Sequence, residues 1–207
     1  SLWRRYLSKT RGSAASPRLL LYPPSRSASS LLRATLGALL GLLALGLLHE
    51  AVRDLGLSAA VAAFGAEATL LFALPGAKVS QPRTVLLGNT VAAAVGVLVR
   101  HGYALGALLA ALRRGDDAAD VHMRLADVHW SAPAVAVALA VAAMVALRVP
   151  HPPGGALAFL AVTVPVQPWL HFSFILLPAL CGSILLVFIA VFFTNLFPDA
   201  SYPISYK

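Results

Sequence analysis

The chain has 207 residues, 59% of them hydrophobic and 12% charged, with a mean hydropathy of +0.80, where soluble domains carry roughly 45–50% apolar and about 25% charged residues. So few charges cannot clothe a surface in water, which excludes an ordinary soluble enzyme. The net charge is +8, and a single cysteine, Cys181 in an apolar run, excludes a disulfide framework or a cysteine-based metal centre.

The first 30 residues form a basic segment. Arg4, Arg5, Lys9, Arg11, Arg18, Arg26 and Arg33 precede or enter the first apolar run with no acid among them. Ser1 is read as a processed or trimmed start. An organelle transit remnant, a nucleic-acid arm and a membrane-flanking basic stretch all share this composition. The flank is favoured, because no nucleic-acid-binding module is present and the segment leads straight into a span.

Residues 31–207 read as one all-α, polytopic transmembrane bundle. Residues 31–48 are apolar and approach the roughly 20 residues a helix needs to cross hydrocarbon. Residues 57–74 form a second apolar stretch with one acid, Glu67, followed by a polar turn at residues 75–83. Residues 84–99 form the third span. Arg100, His101 and Gly102 interrupt the pattern, so residues 103–112 either extend a tilted helix or lie at the interface. The main polar loop covers about residues 113–131, and its His122, His129 and aspartates lack a standard metal spacing. Residues 132–147 make the next span. Pro150, Pro152, Pro153, Gly154 and Gly155 then break the helix, and the half-length segment 154–164 either crosses or re-enters. The last span is residues 174–195, before a polar tail at 199–207. About six embedded segments result, including short or broken helices. Gly65, Ala66, Ala68 and Leu70 faintly match Gly155, Ala156, Ala158 and Leu160, which suggests a two-fold internal repeat of the kind found in transporters.

The strongest chemical signal runs from Arg148 to Gly155. Prolines at a helix start leave amide groups pointing outward, and a helix N-terminus carries about half a positive charge that attracts anions. Arg148 and His151 add a fixed and a titratable positive charge, and Gly154 and Gly155 offer amides. Gln81 and Arg83 form a second patch of the same type, and Asn89 could line a polar path with Thr90, Thr194 and Asn195. Interhelical hydrogen bonding is the plainer account of these last four. Glu67, deep in an apolar segment, is a candidate to relay a proton or to pair with Arg83 or Arg148. Gly37 and Gly41 set small residues at a spacing that admits another helix, from this chain or a second copy. No nucleophile paired with a base, carboxylate dyad or phosphate loop is visible. The chain is therefore expected not to be an enzyme, and no cofactor or metal is implied.

The His-Pro-Pro at residues 151–153, followed by Gly154, Gly155 and Ala156, resembles the signature of the HPP family of integral membrane proteins. The segments FGAEATLLFALP (64–75), SQPR (80–83) and NLFPDASYP (195–203), and the basic residues 11–18, resemble the family in the same order. The sequence departs from that pattern at Glu67, where a small residue is more usual, at Asn89, where histidine is expected, and across residues 100–130. The resemblance implies nitrite transport, the activity associated with plant chloroplast members. It thereby implies a plastid inner envelope or thylakoid membrane in a photosynthetic eukaryote, and the cytoplasmic membrane in a bacterium. The expected function is carriage of a small inorganic anion, nitrite in the first place. Substrate-binding candidates are Arg83, Gln81, Asn89, Arg148, His151, Gly154 and Gly155. The expected partners are the lipid bilayer, the anion, and a homo-oligomer or larger membrane complex, without nucleic acid. The alternatives are a non-transporting accessory subunit of such a complex and an intramembrane enzyme using Glu67 and His151.

Overall fold

Ser27 starts the first helix by accepting the Ser30 amide at its hydroxyl, 3.2 Å away, which satisfies one of the donors that a helix start leaves open. The computed structural model describes residues 27–52, 54, 60–117, 129–164, 172–198 and 200–204. The basic leader up to residue 26 and loop residues 118–128, which include His122, lie outside them. Among the described residues every regular element is helical. These are α1 (Ala28–Val52), α2 (Ala60–Ala73), a 3-10 turn (Lys78–Ser80), α3 (Pro82–Arg114), α4 (Ala132–Ala146), α5 (Pro152–Thr163), and a π-helical segment (Ile175–Gly182) that continues as α6 (Ser183–Thr194).

Three of these are long and apolar enough to span a bilayer: α1 with 25 residues, α3 with 33, and the joined Ile175–Thr194 helix with 20. The other three are shorter apolar helices, so the about six embedded segments expected from hydropathy are present among the described residues as three spanning helices and three short ones. At 1.5 Å per residue α5 reaches about 18 Å, roughly half a membrane. The Arg100–His101–Gly102 interruption does not end α3. His101 turns its Nδ1 onto the Val97 carbonyl of its own helix at 2.8 Å, and one helical glycine costs only about 1 kcal/mol. The helix stops instead at Gly115, in the left-handed conformation at φ 74°, a common helix terminator. Arg114 there pairs with Asp116 at 3.1 Å.

Burial is inverted relative to a soluble protein. The inward stripe of α4 is Ala132, Ala136, Ala140 and Met144, and that of α1 is Gly37, Gly41 and Leu45, whereas Leu32, Leu43, Leu98, Leu139, Phe188 and Phe192 are exposed. Large apolar side chains facing outward suit lipid, and small ones facing inward let backbones approach. Gly37 and Gly41 receive Phe72 of α2, so the neighbour they admit belongs to the same chain.

Helices α3 and α5 cross in close contact. A Cβ on Gly96 would sit 2.6 Å from the Ala158 carbonyl oxygen, and one on Gly88 would sit 2.6 Å from His151 Cβ. At the far end Arg100 donates to the Val162 carbonyl and, at 3.4 Å, to that of Val164. Residues 88, 96 and 100 thus meet 151, 158 and 162 in order, so α5 runs parallel to α3. Arg100 caps the electronegative end of α5, a role that the sequence reading of this residue as an interruption did not contain.

Residues 200–204 of the expected polar tail pack against the bundle, and residues 199 and 205–207 lie outside the described residues. Tyr202 is fully buried, its hydroxyl donating to the Ser80 carbonyl at 2.7 Å and its amide to Asn195 Oδ1 at 3.2 Å. The Ile204 amide donates to Gln81 Oε1 at 2.9 Å. The tail therefore buckles α6 to the turn that starts α3.

Candidate functional site

The polar interior is built where α2, α3, α5 and the π/α6 junction converge. Glu67, Asn89, His151 and Ser183 come from these four elements, each 1% exposed or less. Asn89 Nδ2 donates to Glu67 Oε2 and, at 2.7 Å, to Ser183 Oγ. The Ser183 hydroxyl donates back to the Ala179 carbonyl at 2.6 Å, and its oxygen lies 3.4 Å from Glu67 Oε2. His151 Nε2 is 3.8 Å from the same carboxylate oxygen.

Local structure explains how each group arrives there. Pro152 and Pro153 open α5 with the fixed φ of a first turn, leaving His151 extended at the N-cap. Gly88 leaves room for its Cβ. Pro178 inside the π-helical segment lacks an N–H to donate, and the segment returns to α-helix at Ser183, one turn after the carbonyl that Ser183 engages. Such π insertions are frequent at functional sites.

His151 Nδ1 lies 2.8 Å from the Val79 carbonyl. A carbonyl only accepts, so Nδ1 carries a proton and Nε2 is the nitrogen free to exchange one. Within this quartet three buried polar atoms have no hydrogen-bond partner: Glu67 Oε1, Asn89 Oδ1 and His151 Nε2. An unmet polar atom in a low-dielectric interior is costly, and each of these three accepts when His151 is neutral. The site is short of donors.

Of the residues singled out from sequence, Glu67, Asn89 and His151 meet. Arg83 and Arg148 do not join them: both side chains are exposed, and Glu67 pairs with neither. Gln81 is consumed structurally, its Nε2 donating to the Pro75 and Ala77 carbonyls at 2.9 and 3.0 Å. The Gly154 amide donates to the His151 carbonyl at 3.0 Å, and a Cβ there would lie 3.0 Å from Met144 Sδ. Gly155 is half-buried on α5. Thr90 bonds the Leu86 carbonyl of its own helix at 2.7 Å, and Asn195 clamps Tyr202. Thr194 is buried with its hydroxyl unpartnered. Ser183 escaped the sequence reading, although a serine beside a glycine inside a wholly apolar span was the available signal. A surface groove lined by Tyr103, His129 and Ser131 lies about 21 Å further along α3 than Asn89, counting 1.5 Å per residue, and is separate from this cluster.

Arg148 has φ 59°, in the left-handed region. The Val149 amide bonds the Met144 carbonyl at 2.9 Å and the Arg148 amide bonds that of Val145 at 3.0 Å. This is a Schellman ending with arginine where glycine is the usual choice. Arg148→Gly is expected to raise stability by about 1 kcal/mol, because a Cβ is disfavoured in this conformation. Denaturant titration in detergent micelles would show the midpoint move upward.

Residues 23–203 match the HPP transmembrane-region family. Two transmembrane proteins of Dictyostelium discoideum are similar, one 29% identical over 172 residues and the other 31% identical over 170. Each alignment covers 82% of this chain, against 53% and 49% of the respective relative, so the chain spans about half the length of the curated relatives it matches. No solved structure matches it. With a match running almost from end to end, and with apolar helices whose large side chains face outward, the chain is an integral membrane protein and belongs to the HPP transmembrane family.

Proposed function

We propose that this protein moves a small inorganic anion across a membrane, with nitrite the first solute to test, through the helix break at residues 151–155. The observation that carries the reading is the buried quartet of Glu67, Asn89, His151 and Ser183 with its three unpartnered polar atoms. Ionisable groups held at such depth are expensive in a membrane and mark transport paths by default. The N-terminus of α5 adds the positive end of a helix dipole beside them. Broken, half-length helices that end at a central site suit transporters. The helices run long, short, long in residues 28–114 and short, short, long in residues 132–194, so their lengths do not repeat between the halves.

In this reading His151 and the first turn of α5 contact the anion. Arg83 and Arg148, exposed at the end of the bundle where α3 begins and α4 finishes, draw it toward the mouth. The reading is transport and not catalysis: the Ser183 proton goes to a backbone carbonyl, not to His151. A plastid envelope or a bacterial cytoplasmic membrane would be the setting.

Purified protein reconstituted in vesicles is expected to admit nitrite faster than protein-free vesicles. His151→Gln should lower the rate at least tenfold, and Arg148→Gly should lower it severalfold at low salt with the difference fading as salt screens the charge. Wild-type flux no higher than that of empty vesicles would overturn the reading and favour an accessory subunit of a larger complex.

A further inference from the structure

We infer that Glu67 and His151 form a pair holding one proton between them, and that this proton crosses with the anion. The inference deepens the transport reading and rests on it for the passenger, though not for the proton.

The argument is a count of donors and acceptors. The Val79 carbonyl pins a proton on His151 Nδ1, which leaves the Nε2 lone pair directed into the interior, 3.8 Å from Glu67 Oε2. If Glu67 were ionised and His151 neutral, two electron-rich atoms would face each other and a net negative charge would be buried with one firm donor, Asn89. If both were protonated, a net positive charge would be buried instead. Either extreme is disfavoured away from water. One added proton, on the carboxyl or on Nε2, makes the pair neutral overall and supplies the missing donor.

Among the described residues, His151 is the ion-pair partner recorded for Glu67. The group facing the pair from α3 is Asn89, and from the π/α6 junction Ser183, both neutral. From the 3-10 turn it is the Val79 carbonyl. The charged or titratable residues on the adjoining segments are Arg33, His49 and Glu50 of α1, the first two partly buried, and the exposed Lys78, Arg83 and Arg148, and the ion pair recorded for Glu67 is with His151. The proton state of the pair is therefore set by the pair itself and by whatever enters beside it. An anion arriving at the N-terminus of α5 favours the protonated state, and its departure favours release. That linkage is a one-to-one, electroneutral co-transport: one proton binds with each anion on one side, and both leave on the other, with no covalent bond made or broken.

Two measurements test this separately from the transport reading. In vesicles loaded with a pH-sensitive dye, at a pH where protein-free vesicles admit little nitrite, the wild type should move one proton per nitrite. Its flux should also be insensitive to an imposed membrane potential. Nitrite flux without accompanying protons would overturn the coupling and leave the transport reading intact. Infrared difference spectra of the purified protein supply the second arm. At neutral pH the wild type should show one carboxylic-acid or imidazolium band sensitive to deuterium, absent from both Glu67→Gln and His151→Gln. A spectrum showing an ionised Glu67 beside a neutral His151, or a band that survives both substitutions, would overturn the proton pair. A pair band in a protein that moves no nitrite would refute the anion and its coupling while leaving the proton site standing.

Discussion

Replacing His151 by alanine is expected to lower the unfolding free energy by about 3–5 kcal/mol, the usual penalty when one partner of a buried ionisable pair is removed. Glu67 would keep its place inside the bundle with only Asn89 to stabilise it. The Val79 carbonyl would also lose its donor. The second substitution in the cycle separates these contributions. Glu67→Gln retains the shape and an acceptor for Asn89 while abolishing the charge, so the double variant should recover most of the loss. Sodium dodecyl sulfate titration of the micelle-solubilised protein reads both values, and the coupling between the two positions is the difference that remains. A double variant as unstable as His151→Ala alone would place the cost in packing, not in charge.

A second large effect is expected where α3 crosses α5. Gly96→Ala should cost about 1–3 kcal/mol, because the new methyl meets a backbone oxygen that cannot swing aside. Gly88→Ala should behave alike, since its methyl would press on His151 and lie 2.9 Å from the Val149 carbonyl. Gly102 and Gly106 lie on the same helix with open space where a Cβ would go. Alanine at either should be harmless or stabilising by up to about 1 kcal/mol through helix propensity. A common response to all four substitutions, measured as unfolding midpoints, would show that propensity governs and that the crossing does not.

These glycines show what the sequence made legible and what it left hidden. Apolar length and the proline-glycine break disclosed the spans and the half-length helix, because both signals are local. Gly37 and Gly41 stood out by spacing, yet the crossing that meets backbone oxygens, at Gly88 and Gly96, is spaced by eight residues and shares its helix with glycines that touch nothing. Small residues report a packing face only once the partner helix is known. The same limit hid Ser183, whose meaning comes from a carboxylate 116 residues away. Arginines at the break pointed to an anion site, but charge in a sequence carries no depth: Arg148 is exposed at the end of α4, away from the buried quartet. Glu67 and Asn89, two of the three departures from the resemblance, are hydrogen-bonded to each other. Neither deviation could be understood alone.

The tyrosine buckle bears on how the protein is made. Chains emerge N-terminal end first, and the Ser80 carbonyl waits for a hydroxyl 122 residues downstream. Until that tail docks, the turn that carries the Val79 carbonyl is held by the side chains of Gln81 and Ser80. The tie to the tail thus forms only once the chain has been made through residue 202, so the earlier helices can enter the bilayer before the turn at the start of α3 is fully fixed.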